Sequence, residues 1–114
     1  MAILTFTLTT KEFGSGRKSV TRRTWSARQL EMWQRLWDTD RHVHDAWDKI
    51  PIAGGRPIGR IRLTARPYRE RLRDMPEADL AAEGGMCESL DEFCRLIGRS
   101  PEDYVTVVRF QKIS

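Results

Sequence analysis

The chain is predicted to fold as one α+β domain spanning residues 1–114, with helices packed against a mostly antiparallel sheet or small β-barrel. The prediction rests on the order of patterns along the chain. Segments that alternate apolar and polar residues are separated by segments with helical spacing, in the order strand, helix, strands, two helices, strand. No repeat, low-complexity tract or linker divides the 114 residues, and this length suits one hydrophobic core.

The N-terminal part is predicted to contain a strand, a short helical turn and a second extended segment. Residues 3–10, ILTFTLTT, are rich in β-branched residues, which is typical of a strand. The TKEF that follows can form one helical turn ending at Gly14. Residues 18–25, KSVTRRTW, have enough β-branched residues to favour an extended conformation.

The clearest helix is predicted over residues 27–40. Ser26 precedes it as an N-cap, because its hydroxyl can accept a hydrogen bond from a backbone N–H of the first turn. Four apolar residues recur at helical spacing and are expected to face the core: Leu30, Trp33, Leu36 and Trp37.

Two strands are predicted in the middle of the chain. Residues 42–51, HVHDAWDKIP, alternate in character and are interpreted as a strand, after which Gly54 and Gly55 mark a loop. In residues 58–68, IGRIRLTARPY, apolar residues alternate with arginine and threonine. This pattern predicts a half-buried strand with a basic outer face.

The C-terminal part is predicted to hold two helices and a closing strand. The first helix starts near Pro76 and stops at the Gly84–Gly85 pair. The second is capped by Ser89, in a capping box, and closed by Gly98. Residues 103–113, DYVTVVRFQKI, are predicted to form the last strand.

The charge balance favours an anionic partner. The formal net charge is +4, and sixteen of the twenty basic residues are arginine, whose planar guanidinium suits phosphates and base edges. Genomic codon bias explains an excess of arginine equally well. Residues 56–73 hold seven arginines and one acid, whereas residues 74–103 hold nine acids and two arginines. One face of the domain is therefore expected to be electropositive.

The sequence also predicts where the protein works. Its two cysteines, Cys87 and Cys94, are too few for a disulfide scaffold or a four-ligand zinc site, which favours a reducing compartment. No apolar run approaches ~18 residues, and the N-terminal segment lacks the features of a signal peptide. We therefore expect a cytoplasmic protein with no membrane partner.

Four motifs follow one another along the chain: GRKSVTRRTW, WDKIPIAGGRPIGRIRLT, MPEADLAAEGGMCESLDEFCRLIG and VTVVRFQKI. Together they resemble the ASCH family of the PUA-like superfamily, and the resemblance covers nearly the whole chain. It implies a small PUA-like β-barrel flanked by helices, with a ligand cleft near the first basic motif. It also implies binding of RNA or of modified nucleosides.

One branch of that family consists of small amidohydrolases that remove the acetyl group of N4-acetylcytidine. The resemblance implies that their catalytic lysine, threonine and glutamate correspond to Lys18 and Thr21 in KSVT and to Glu83 in AAEGG. The TRR that follows the lysine departs from this branch, which tends to carry one arginine and an intervening apolar residue. The long helix over residues 27–40 is also closer to the general ASCH pattern.

The chemistry of these three residues depends on burial. A buried lysine with a lowered pKa can take the proton of a threonine hydroxyl, which then attacks an amide carbonyl. Glu83 can orient the lysine and help move the proton to the leaving amine. The alternative is an exposed Lys18 beside a structural Thr21, with Glu83 on the surface.

Six further residues are candidates for contacting a nucleotide or RNA: Arg17, Arg22, Arg23, Trp25, Arg60 and Arg62. The arginines can hold phosphate or a base edge by bidentate hydrogen bonds, and the tryptophan can stack on a base. The alternatives are a solvated charge run, a tryptophan of the core, and strand arginines that pair with the acidic helices.

These observations lead to three hypotheses. The first is an ASCH domain that recognises RNA or a modified nucleoside in a basic cleft, and the second is an amidohydrolase acting on N4-acylated cytidine. The third is a basic interaction module with no nucleotide site. No cofactor or metal is predicted, since His42 and His44 lack a third ligand at suitable spacing. The sequence makes no prediction of oligomeric state.

Overall fold

The computed structural model describes residues 2–114 and shows an α+β fold with a six-stranded mixed sheet and four α-helices. The strands are β1 (Ile3–Thr5), β2 (Val20–Arg23), β3 (Val43–Trp47), β4 (Pro57–Leu63), β5 (Tyr68–Arg71) and β6 (Tyr104–Lys112). The helices are α1 (Thr10–Gly14), α2 (Ala27–Asp38), α3 (Ala78–Ala82) and α4 (Leu90–Ile97). The predicted fold class is thus confirmed at the level of α+β.

The last strand organises the sheet. The strand order is β1-β3-β4-β6-β2, and β5 also pairs with β6. Among the strands of the described residues, β1 and β3 run parallel, while the other four strand pairs are antiparallel. In residues 2–114, backbone pairing runs from β1 to β2 without joining these two end strands.

A side chain links the two ends of the sheet instead. Arg23 on β2 donates hydrogen bonds to the backbone carbonyl of Thr5 on β1 and, at 3.4 Å, to its hydroxyl. The guanidinium also lies 5.5 Å from the ring centroid of Phe6. The sheet is therefore strongly curled, with β1 and β2 facing each other across a gap.

The main core fills the inside of this curl. Phe6 stacks on Phe13 of α1 at 4.6 Å between centroids, and Phe110 of β6 meets Phe6 edge-on. Trp33 of α2 is 1% exposed and packs in the same cluster, with Trp37 partly buried beside it. The helix face predicted from the sequence is confirmed as a core face.

A second, smaller cluster lies beneath α4. It consists of five buried residues: Leu72, Cys87, Phe93, Cys94 and Val105. This cluster packs α4 and the segment before it against β6. It thereby fixes one wall of the cleft described below.

Both predicted N-caps are present. The hydroxyl of Ser26 accepts a hydrogen bond from the N–H of Gln29 at 3.2 Å, and that of Ser89 accepts one from Glu92 at 3.2 Å. Gly98 closes α4 with a left-handed conformation, φ 69°. The two N-caps form as predicted because each serine satisfies a backbone N–H of the first helical turn that would otherwise lack a partner.

Three predicted strands differ in extent. The strand predicted over residues 42–51 ends at Trp47, and Pro51 begins a short helical turn instead. The strand predicted over residues 3–10 ends at Thr5, because the chain turns there and the hydroxyl of Thr10 donates to the Phe6 carbonyl at 2.7 Å. The strand predicted over residues 58–68 is two strands, β4 and β5, with a bend between them. They pair with opposite halves of β6, and Pro67, which has no backbone N–H to donate to a sheet, lies in the bend.

Candidate functional site

A cleft of about 290 Å³ opens in the gap between β1 and β2. One wall is the end of β1 and the turn after it, residues 5–9, and the floor comes from residues 18–23. The opposite wall comes from α3, the turn after it and α4. Three separate parts of the chain thus meet at one concave site, the third of them more than fifty positions from the other two.

The three residues predicted to be catalytic lie buried in this cleft. Lys18, Thr21 and Glu83 line it and are 4%, 3% and 8% exposed. The backbone brings them together, since the N–H of Ser19 donates to the carbonyl of Ala82 at 2.8 Å. This hydrogen bond joins the residue before β2 to the last residue of α3.

Lys18 and Glu83 form a buried ion pair. The Lys18 Nζ donates to the Glu83 carboxylate Oε1 at 3.1 Å and to the Glu83 backbone carbonyl at 2.7 Å. Burial lowers the pKa of Lys18; Glu83 opposes this shift, while the positive charges of Arg23 and Arg22 add to it. The amine therefore loses its proton more readily than an exposed lysine, as a general base requires.

The other Glu83 carboxylate oxygen is held by Arg22. The Arg22 Nη1 donates to Oε2 at 2.9 Å, and Nη2 donates to Asp79 at 2.6 Å and to Glu70 at 2.9 Å. Arg109 of β6 makes a bidentate pair with Asp79 at 3.0 and 2.7 Å. We call this set the ionic network, which consists of Lys18, Arg22, Arg109, Glu70, Asp79 and Glu83.

The charges of the ionic network compensate one another. Burial alone would raise the pKa of Asp79, but the hydrogen bonds from Arg109 and Arg22 outweigh it and hold this pKa below the usual range. Burial alone would lower the pKa of Arg22, but its hydrogen bonds to the three carboxylates outweigh this effect and raise it. Three cations thus face three carboxylates, which makes their burial tolerable.

Arg22 was a candidate for ligand contact, and the structure gives it another set of partners. It lines the cleft, but its side chain has no exposed surface, and each of its three guanidinium nitrogens donates to a carboxylate. Arg22 therefore holds the Glu83 carboxylate in position through the hydrogen bond from its Nη1.

Arg23 contacts Thr21 directly. Its Nε donates to the Thr21 Oγ1 at 3.1 Å, so the threonine oxygen receives a hydrogen bond while its own proton stays available. Burial lowers the pKa of Arg23 to about 10, at which the group is still charged at neutral pH. A positive donor at this oxygen favours the alkoxide form of the threonine.

The other four ligand-contact candidates do not line the cleft. Arg17 is exposed, and its guanidinium lies against Gly85, close to the Glu83 end of the cleft. Trp25 is half-buried and stacks on Trp33 at 5.2 Å. The remaining two are exposed on β4, away from the cleft: Arg60 and Arg62.

Sequence reasoning missed several residues that build the site. Asp79 lies four positions before Glu83, and this spacing places both on one face of a helix, a signal that was available. Glu70 and Arg109 gave no such signal, because they reach Arg22 and Asp79 only through strand register. The apolar cleft residues were also missed: Leu8, Met86 and Leu96.

The side chains of His44 and Cys87 are buried. The imidazole of His44 is fully buried; its Nδ1 accepts from the Ala2 N–H at 3.1 Å and its Nε2 lies 2.8 Å from the Arg41 carbonyl. Burial lowers the pKa of His44 and raises that of Cys87. Residues 2–114 contain no cluster of three potential metal-binding His, Cys, Asp or Glu side chains.

No helix in the described part of the chain is long and apolar enough to span a bilayer. No protein family, curated protein or solved structure matches the chain.

Proposed function

We propose that this protein binds a modified nucleoside in the cleft and hydrolyses an amide bond on it, with Lys18, Thr21 and Glu83 as the catalytic residues. The observation that carries the proposal is the convergence of these three side chains. Lys18 and Glu83 are 65 positions apart in sequence, yet they form a buried pair in the cleft that Thr21 also lines. The resemblance to the ASCH amidohydrolases predicts the same three residues and suggests N4-acetylcytidine as substrate.

The proposed reaction starts at Thr21. The neutral amine of Lys18 takes the hydroxyl proton as Oγ1 bonds to the amide carbonyl carbon, and the carbonyl electron pair moves to oxygen. When that pair returns, the C–N bond breaks and the amine leaves with the proton from Lys18. Lys18 then takes a proton from water as the water oxygen bonds to the acyl carbon of the threonine ester. The bond between that carbon and Oγ1 breaks, Oγ1 receives the proton from Lys18, and the carboxylic acid is released.

The neighbouring charges support each step. Glu83 stabilises the ammonium that forms on Lys18, since its carboxylate Oε1 lies 3.1 Å from Nζ. Arg23 stabilises negative charge on the threonine oxygen, to which it already donates at 3.1 Å. Positioned charge of this kind often supplies the largest part of catalysis.

The size of the cleft favours a nucleoside over a polynucleotide. About 290 Å³ corresponds to the volume of about ten water molecules. This is room for a base and its acyl group, with the sugar towards solvent.

We infer that the fold is a PUA-like barrel, supported by the Arg23 bridge between β1 and β2, and that the protein works in the cytoplasm.

RNA recognition without hydrolysis is the second candidate. The exposed Arg17 beside the cleft favours it, as does the net charge of +4. Such binding would weaken steeply as salt rises, because phosphate contacts release counterions. Affinity for single-stranded RNA that is flat between low and high salt would exclude this candidate.

The decisive experiment is incubation with N4-acetylcytidine, following cytidine release by chromatography. We expect turnover in the wild type and its loss in Lys18→Ala and Thr21→Ala. The matched controls, Lys49→Ala and Thr64→Ala, change exposed residues outside the cleft and should retain full activity. Turnover that survives both cleft substitutions would refute the mechanism, and no turnover by the wild type would refute the activity on this substrate.

A further inference from the structure

The lining of the cleft includes two chemically different groups of residues. The polar group, which we call the polar end, holds the catalytic residues with Thr5 and Arg23. The other group presents carbon and sulfur atoms and comes from α3, α4 and the two turns around the cleft: Leu8, Leu80, Met86, Phe93, Leu96 and Ile97. We call this second group the apolar end.

Three residues of the apolar end are unusually exposed. Leu8, Met86 and Leu96 are 69%, 40% and 45% exposed, and all three line the cleft. Exposed apolar side chains that cluster around a pocket are typical of a ligand-binding surface. An apolar group of a ligand that covered them would remove this surface from water.

The chemistry of the apolar end decides which part of the substrate it takes. A nucleobase carries donors and acceptors on its edge, and burying them without partners is unfavourable. The threonines and arginine of the polar end offer such partners, whereas the side chains of the apolar end do not. The acyl group, which is hydrocarbon beyond its carbonyl, suits the apolar end.

We propose that the apolar end is an acyl subsite and that the preferred substrates carry acyl groups larger than acetyl, either aliphatic chains of four or more carbons or aromatic acyl groups. This inference rests on the proposed function, because that function places the amide bond of the substrate next to the subsite. The reaction is the same hydrolysis: water supplies OH to the acyl carbon and H to the amine nitrogen.

The structure sets the expected size of the preference. Complete burial of one methylene corresponds to about a fourfold gain in binding. Butanoyl has two methylenes more than acetyl, which would give about fifteenfold if both were fully buried. Because the mouth is open, we expect about half of this burial, and hence a kcat/KM about fourfold higher for N4-butanoylcytidine than for N4-acetylcytidine.

The experiment compares kcat/KM for N4-acetyl-, N4-butanoyl- and N4-benzoylcytidine in the wild type and two variants. Leu96→Ser changes an exposed residue of the subsite, and we expect it to lower the butanoyl-to-acetyl ratio towards one. Ile52→Ser is the matched control, because Ile52 is 93% exposed and lies outside the cleft, so the ratio should not change. Calorimetric binding of the three compounds to Thr21→Ala measures the preference without turnover.

The outcomes separate the two proposals. Turnover of the acetyl compound with equal or lower kcat/KM for butanoyl overturns the acyl subsite and leaves the proposed function intact. Tighter binding of the butanoyl compound without any turnover supports the subsite and overturns hydrolysis. Neither turnover nor a binding preference overturns both.

Discussion

Replacing Asp79 by asparagine is expected to destabilise the fold strongly, although the side chain barely changes shape. The carboxylate is buried and accepts three hydrogen bonds, one from Arg22 at 2.6 Å and two from Arg109 at 3.0 and 2.7 Å. The substitution puts an NH₂ group where one of the oxygens stood. That group faces a guanidinium donor and leaves the positive charge of Arg22 less well compensated.

The magnitude follows from the contacts that are lost. Charge-assisted hydrogen bonds contribute about 1.5–3 kcal/mol each, and removing one partner of a buried pair costs about 3–5 kcal/mol. The side chain of Arg109 is 30% exposed, so water can replace part of what it loses, whereas that of Arg22 is fully buried. We therefore expect a loss of about 3 kcal/mol in the free energy of unfolding, equivalent to a melting temperature lower by about 10–15 °C.

The pH dependence identifies the cause. Because folding lowers the pKa of Asp79, the stabilisation is complete above the pKa of the unfolded chain, about 3.9, and is lost as the pH falls through the folded value. Urea denaturation should give a difference between wild type and Asp79→Asn that is constant from pH 5 to 8 and shrinks below about pH 4. Asp38→Asn, which removes an exposed pair with Arg66, should have a much smaller effect. A loss for Asp79→Asn as small as that for Asp38→Asn would refute the reasoning.

Three further predictions concern the site and the core. The hydrolytic kcat/KM should rise with pH and level off below pH 10.5, because the neutral form of Lys18 is the base and burial lowers its pKa; a flat profile, corrected for uncatalysed hydrolysis, would contradict this role. Trp33→Ala should lower the free energy of unfolding by about 3–5 kcal/mol, since the side chain is 1% exposed, and a calorimetric change below about 1 kcal/mol would exclude its core role. Cys87 should react with a thiol reagent more slowly in the native protein than in denaturant, because burial raises its pKa, and equal labelling rates would disprove this.

The parts of the fold that could be predicted are those fixed by local chemistry. Ser26 and Ser89 cap helices by bonding to the next turn, and the four-residue spacing of Trp33 and Trp37 already defines a helix face. The closing strand was also predicted, because its β-branched run needs no information from elsewhere in the chain. The split of the strand predicted over residues 58–68 depends on which half of β6 each part pairs with, and the sequence does not encode that locally.

The candidate site shows the same division. The resemblance pointed to Lys18, Thr21 and Glu83, and the structure brings these into one cleft. The resemblance could not show that the Arg22 side chain pairs with carboxylates, since these acidic residues lie 48 to 61 positions away in sequence. From the sequence alone, a charged residue can equally well bind a ligand or pair with another residue of the chain. Only the tertiary contacts show which of the two it does.

The pairing of β2 has a consequence for the synthesis of the protein. In the part of the chain that the structure describes, β2 pairs only with β6, so the strand that carries Thr21 has no partner until residues 104–112 have been made. A ribosome-bound chain that stops before β6 would contain Lys18 and Glu83 but no assembled cleft. The site is therefore among the last features to form, and such long-range pairing makes its folding slow relative to that of the helices.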